Sequence, residues 1–160
     1  MKALDEVVHL MDRLTIQDLM VQYFVNVDCR VWQPVKDVFV PGTLVDYSGV
    51  LPIADAVPAE EVVDRIAAAI ELYATTTHQM GNHIVVIDGD TAQAETWVTA
   101  IHTYADPERN GGRLPIAGLR YLDQLVRTED GWRIQHRRVT TDWRAWWDRR
   151  EPTYVGGVHQ

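Results

Sequence analysis

From Thr75 onward the chain stops reading as helix and reads as two long hairpins, and this limits the fold more than any other feature. "HIVVIDGDTAQAETWVTAIHTY" (83–104) places β-rich runs on either side of a Gly-Asp turn. "LRYLDQLVRTEDGWRIQHRRVTT" (119–141) does the same, with Gly131 positioned for a tight turn. Consecutive strands of this length, joined by short turns, form an antiparallel meander. Such a sheet needs helices to cover its apolar face.

The earlier segments supply those helices. In "LTIQDLMVQYFVNVDC", Ile16, Leu19, Met20, Tyr23, Phe24 and Val27 recur at helical spacing, and Thr15-x-x-Asp18 resembles a capping box at the start. Val7, Val8, Leu10, Met11 and Leu14 suggest a helical turn or two before it. "VWQPVKDVFV" predicts a short second helix with Pro34 in its first turn, and "PGTLVDYSG" a short strand between turns. "PAEEVVDRIAAAIELYA" is the clearest helix, with acidic residues in its first turn. "ERNGGRLPIAG" reads as a loop. The expected class is α+β: a curved, mainly antiparallel sheet with the N-terminal and inserted helices packed on one face. The whole of 1–160 is expected to be a single domain.

Bulk properties narrow the function. A net charge of −8 argues against nucleic acid or an anionic membrane as partner. No apolar run is long enough to span a bilayer and the start lacks a signal-peptide core. With Cys29 as the single cysteine, a reducing cytoplasm is the expected compartment.

Candidate chemistry centres on histidines and one aspartate. Asp28 lies four residues after Phe24, so a continuing helix sets its carboxylate beside the apolar stripe. There it either ends the helix in solvent or is held by a partner. Strict alternation puts His78 on one face with Met80, Asn82, Ile84 and Val86, and His83 on the other with Val85 and Ile87. His102 shares a face with Ala94, Val98 and Ala100, whose small side chains leave room for a pocket. A neutral imidazole suits proton abstraction near neutral pH, and a carboxylate on its second nitrogen fixes the tautomer. Tyr23 and Tyr47 could donate to a substrate oxygen or serve as core aromatics.

Other chemistries fit less well. His78 and His83 on opposite faces would not chelate one metal, and HExxH, CxxC and EF-hand spacings are absent. There is no GxGxxG, P-loop or Gly-x-Ser-x-Gly, and Ser48 is the only serine. An enzyme of this sequence is therefore expected to need neither metal nor cofactor.

The pieces "TIQDLMVQYFVNVDCRVW", "THQMGNHIVVIDGDTAQAETWVTAIH" and "YLDQLVRTEDGWRIQHRRVTTDW" resemble the SnoaL-like group of the nuclear-transport-factor-2-like superfamily, which includes scytalone dehydratase. The resemblance implies a conical α+β barrel: a cone-shaped, curved, mixed but mainly antiparallel sheet wrapped around an apolar pocket, with the N-terminal helix crossing it. In the dehydratase branch an aspartate at the end of the N-terminal helix pairs with a histidine at the start of the long strand, which points to Asp28 and His78. A second histidine and a substrate-facing tyrosine correspond to His102 and Tyr47. Tyr23, Trp97, Asn82, Tyr121 and Asp123 are candidates for the substrate wall, and the family's cyclases make Asp123 an alternative acid–base residue. Val27 departs from the dehydratase pattern, which has tyrosine there. The implied activity is a dehydratase, dehydrohalogenase-like lyase or isomerase acting on an apolar, cyclic small molecule, in a homodimer or homotrimer. A non-catalytic binding module is the remaining alternative.

At the C-terminal end, Trp143, Trp146 and Trp147 would share one face of a helical turn in "DWRAWWDRREPTYV". There they would cover the pocket mouth or a neighbouring subunit, or pack on their own sheet. Arg133, Arg137 and Arg138 are expected on a solvated or salt-bridged outer face.

Overall fold

In the computed structural model of the chain, residues 2–148 are described. Helix α1 (Lys2–Asp28) is followed by α2 (Trp32–Asp37), β1 (Leu44–Asp46), β2 (Val57–Pro58) and α3 (Ala59–Ile70). Four long strands complete the fold: β3 (Tyr73–Asp88), β4 (Thr91–Tyr104), β5 (Arg113–Thr128) and β6 (Gly131–Asp148). They form one six-stranded sheet in the order β2-β1-β6-β5-β4-β3. Every pairing is antiparallel except that of β1 with β6. The sheet is curved and open, and the α+β class expected from the two hairpins is the one observed.

Several local expectations are corrected. Thr15 does not cap a helix: α1 runs unbroken for 27 residues, about 40 Å. The Thr15 hydroxyl instead donates to the Met11 carbonyl one turn back, at 2.9 Å. The predicted loop at 108–118 is short: a 3₁₀ turn at Arg109–Gly112 leads directly into β5. The tryptophan-rich segment is strand, not helix, because β6 continues to Asp148 by pairing with the start of β5. Trp143 and Trp147 then fall on the convex face, opposite Gly118 and Leu114, while Trp146 falls on the other face opposite Pro115. The rest of that segment, Arg149 onward, lies outside the described residues.

Apolar side chains from α1 and the concave face of the sheet make the core, with Ile16, Met20, Leu125 and Ile134 fully buried. One polar cluster pins α1 to the far end of β5 and β6. The Arg127 guanidinium donates twice to Asp12, both at 2.7 Å, and lies 4.5 Å over the Trp132 ring, whose Nε1–H also reaches Asp12. The Arg127 bonds hold the Asp12 carboxyl below its ordinary range against the opposing effect of burial.

The long strands slip register at four places, two in β3 and two in β6, and two of these slips set the inward side chains of the candidate site. In β3 the register slips by one residue between Met80 and His83, and in β6 by one between Ile134 and His136. Each extra residue reverses the alternation beyond it.

Candidate active site

Asp28 is brought to the sheet by the way α1 ends. The Val31 N–H donates to the Asn26 carbonyl and the Arg30 N–H to that of Val27, a Schellman closure with Arg30 at φ +58°. The Arg30 guanidinium crosses to the Tyr73 carbonyl at 2.5 Å, which ties the turn to the start of β3. A carboxylate in the last helical turn meets the negative end of the helix dipole, an unfavourable location unless other groups compensate. Here β3 compensates. His78 Nδ1 lies 2.6 Å from Asp28 Oδ1, the His78 backbone N–H donates to Oδ2 at 2.8 Å, and the Thr76 hydroxyl donates to Oδ1 at 2.9 Å. Burial works to raise the Asp28 carboxyl, but the His78 and Thr76 bonds outweigh it and hold it below the usual carboxylate range.

The His78 ring is held on three sides. Phe24 stacks on it at 6.0 Å, and the His102 ring stands edge-on at 5.6 Å. Its Nδ1 is engaged by Asp28, and no hydrogen bond from a described residue occupies Nε2. His102 is in turn flanked by Tyr73 at 4.6 Å. Burial, reinforced by the nearby His78 and only partly opposed by Asp28, pushes the His102 imidazole down to about 4. It is therefore neutral at pH 7.

Tyr23, Tyr47, Tyr121 and Asp123 are brought together, but deep in the core, each 4% exposed or less. The Tyr23 and Tyr47 hydroxyls lie 2.8 Å apart, and the Arg137 Nη1–H reaches Tyr47 at 3.3 Å. Burial raises the Tyr23 and Tyr121 phenols well above their ordinary range, which keeps both protonated. Asp123 is held by the Arg137 guanidinium at 2.7 and 2.9 Å. The expectation of an outer-face Arg137 is thus corrected. The β6 bulge turns it inward, where it is fully buried among Tyr23, Phe39 and Tyr121 rings at 4.3–5.3 Å. Arg138 does face outward, near Asp46.

The β3 bulge corrects the assignment of faces there. His83 and Val85 share the inner face with His78 and Met80, while Asn82, Ile84 and Val86 are exposed. Asn82 therefore does not line the concave side. Neither does Trp97, which sits on the convex face with Arg120 stacked at 5.1 Å, beside Gly118 and Trp143. His83 Nδ1 meets the Thr96 hydroxyl at 2.8 Å, and its Nε2 is buried without a partner among the described residues. Burial holds this imidazole below its ordinary value despite the opposing influence of Asp123. The inward placement of His83 and Arg137 depends on the bulges, and a Gly-Asn pair inside a strand is the sequence signal for the first of them. A separate groove of about 750 Å³ between α2, the start of α3 and the β5–β6 turn is lined by none of the candidate catalytic or substrate-wall residues.

A SnoaL-like domain model matches residues 8–138. The chain belongs to the SnoaL-like family. A Mycobacterium tuberculosis relative, the uncharacterized protein Rv2910c, is 33% identical over 141 residues, which is 88% of this chain and 91% of the relative. Among solved structures, the Kfla4162 protein of Kribbella flavida is 24% identical with a TM-score of 0.76, covering 86% of this chain and 95% of that one. The hexachlorocyclohexane dehydrochlorinase LinA-type3 of Novosphingobium barchaimii is 13% identical with a TM-score of 0.75, covering 95% and 99%. At these identities the structural likeness is one of fold, which this SnoaL-like chain shares with nuclear-transport-factor-2-like proteins. Among the described residues no helix is long and apolar enough to cross a membrane.

Proposed function

We propose that the protein is a cofactor-independent acid–base lyase or isomerase acting on an apolar, cyclic small molecule, with His78 as base. The observation that carries this reading is the three-bonded Asp28 carboxylate on His78 Nδ1. An imidazole whose Nδ1–H is held by a carboxylate presents Nε2 as the basic nitrogen, and the same carboxylate stabilises the imidazolium once the proton is taken. In an elimination, Nε2 removes a proton next to an activating carbonyl or leaving group. The C–H electron pair becomes the new double bond, and the leaving group departs with its bonding pair. Neutral His102, edge-on to His78, can donate an N–H toward the departing group. The apolar character follows from Phe24, Met80 and Ala100 around the dyad. The dehydrochlorinase of the same fold performs an elimination, which agrees with this reading.

The cyclase alternative through Asp123 is weaker, because both of its oxygens are bound to Arg137 and it is 2% exposed. Tyr47 is proposed to act through the shape of the inner wall, since its hydroxyl already has two partners. The test is a panel of cyclic carbonyl compounds carrying a β-hydroxyl or β-halogen, followed by the absorbance of the conjugated product. With a substrate in hand, His78→Ala should lower kcat by roughly 10²–10⁴-fold, the usual worth of a general base. Asp28→Asn should lower it about 10–100-fold through loss of a charge-assisted bond. Both variants should retain the wild-type circular dichroism. Full turnover in both would remove the dyad from the mechanism.

A further inference from the structure

Helix α1 has a second apolar face that the fold leaves uncovered. Ile16, Met20, Tyr23 and Val27 point into the core. On the opposite side Leu4, Val7, Met11, Leu14, Val21 and Val25 are all exposed, between 37% and 67%. With Asp18 they are spaced alternately three and four residues apart, without a break, from 4 to 25. That period is the 3.5-residue repeat of a seam that packs against another helix. A surface helix whose burial is complete shows apolar residues on one face alone.

The uncovered area has the size of an interface. The N-terminal half of the seam, with the flanking Val8 and Leu10 at 50% and 56% exposure, presents on the order of 650 Å². The largest apolar patch of a typical monomer is ~300–600 Å². A stable dimer buries ~800 Å² per partner, of which a little over half is apolar. The Arg127–Asp12 anchor holds the helix from behind, so the seam is presented on a fixed rod.

We propose that this seam docks against the same seam of a second copy of the chain, with the two α1 helices antiparallel. Charge selects both the partner and its direction. A membrane-lying helix carries lysine and arginine along its polar flank, whereas α1 carries Asp5, Glu6, Asp12, Asp18 and Asp28 against Lys2 and Arg13, in a chain of net charge −8. A parallel pair would bury Asp18 against its own symmetry mate. In the antiparallel pair Leu4 meets Leu14 of the partner subunit and Val7 meets Met11 of the partner subunit. Four layers are then apolar throughout, and each Asp18 falls beside the first turn of the other helix, where the dipole favours an anion.

Light scattering after size-exclusion chromatography of the full chain tests the proposal, with Met11→Glu/Leu14→Glu as the disrupting variant. The expected result is twice the chain mass for wild type at micromolar concentration and the chain mass for the variant, with unchanged circular dichroism. A monomeric wild type overturns the proposal, as does an oligomer that survives the double substitution but dissolves on Trp143→Glu at the convex face. In a Cys29→Ser background, Leu4→Cys/Leu14→Cys should cross-link two chains on oxidation and Leu4→Cys alone should not. Cross-linking by Leu4→Cys alone overturns the antiparallel arrangement. None of these readouts depends on turnover, so the dyad can fail while the seam stands, and the reverse.

Discussion

Replacing Arg137 by methionine would leave the Asp123 carboxylate buried and unpaired. Both side chains are inaccessible, and Asp123 has no hydrogen-bond partner among the described residues other than the Arg137 Nε–H and Nη2–H. Removing one member of such a pair costs about 3–5 kcal/mol, because the survivor keeps its desolvation penalty without its counter-charge. The total stability of a domain is about 5–15 kcal/mol, so this loss is a large share. Methionine conserves much of the arginine stem that packs on Tyr23 and Tyr121, which confines the effect mainly to charge. Urea unfolding at pH 7 of Arg137→Met, Asp123→Leu and the double variant gives the three free energies. The double variant should lie within about 1 kcal/mol of wild type, since removing both charges removes the penalty as well. A single-variant loss under about 1 kcal/mol, or a double variant that costs the sum of the singles, would refute the reasoning.

Acid should act through the site. His102 is held at about 4 when folded and returns to about 6.5 when unfolded, so stability is complete above that value and declines as pH falls from 6.5 toward 4. The loss amounts to at most about 3 kcal/mol, and His102→Asn should flatten this part of a melting-temperature profile. Asp28 and Asp12, both depressed, add stability above the unfolded carboxylate value, lost as pH drops through their folded values, so a second decline follows. Two glycines should respond differently to alanine. At Gly49 a Cβ would lie 2.6 Å from the Val139 carbonyl oxygen and 2.9 Å from the Thr140 Cα, both backbone, so Gly49→Ala should cost about 1–3 kcal/mol by denaturant unfolding. At Gly118 the obstacle is the half-exposed Trp143 indole, which can swing away. Gly118→Ala should shift tryptophan emission while costing under about 1 kcal/mol.

The elements that repeat a period over many residues are legible in the amino-acid pattern alone: the two hairpins, α3, and the inward stripe of α1. Asp28 stands out there because an acid beside that stripe needs a partner, and the fold brings it to His78. The misplacements of His83, Asn82 and Arg137 share one cause. Strict alternation assumes unbroken ladders in β3 and β6, and a single extra residue in each moves His83 and Arg137 inward and leaves Asn82 outside. The tryptophans at 143, 146 and 147 fit helical spacing over five residues, too short a window to compete with pairing against β5. Thr15 carries the right side chain for a cap, yet a hydroxyl satisfied by the carbonyl four residues back fits mid-helix equally well.

The slip at Gly81–Asn82 also separates the histories open to the two ends of β3. With it, Thr76 and His78 at one end and Val85 and Ile87 at the other all look inward, although one pair has even and the other odd positions in the chain. Deleting one of the two residues there would give an unbroken ladder with the same side chains inward. Flattening the bulge with both residues kept in the ladder would instead turn the distal half of the strand over, so that Ile84 and Val86 entered the core and His83 left it, while the hold on Asp28 stayed in place. The joint therefore works as a phase setter. Through it a lineage could lose one residue from β3 and keep both its inner lining and its dyad.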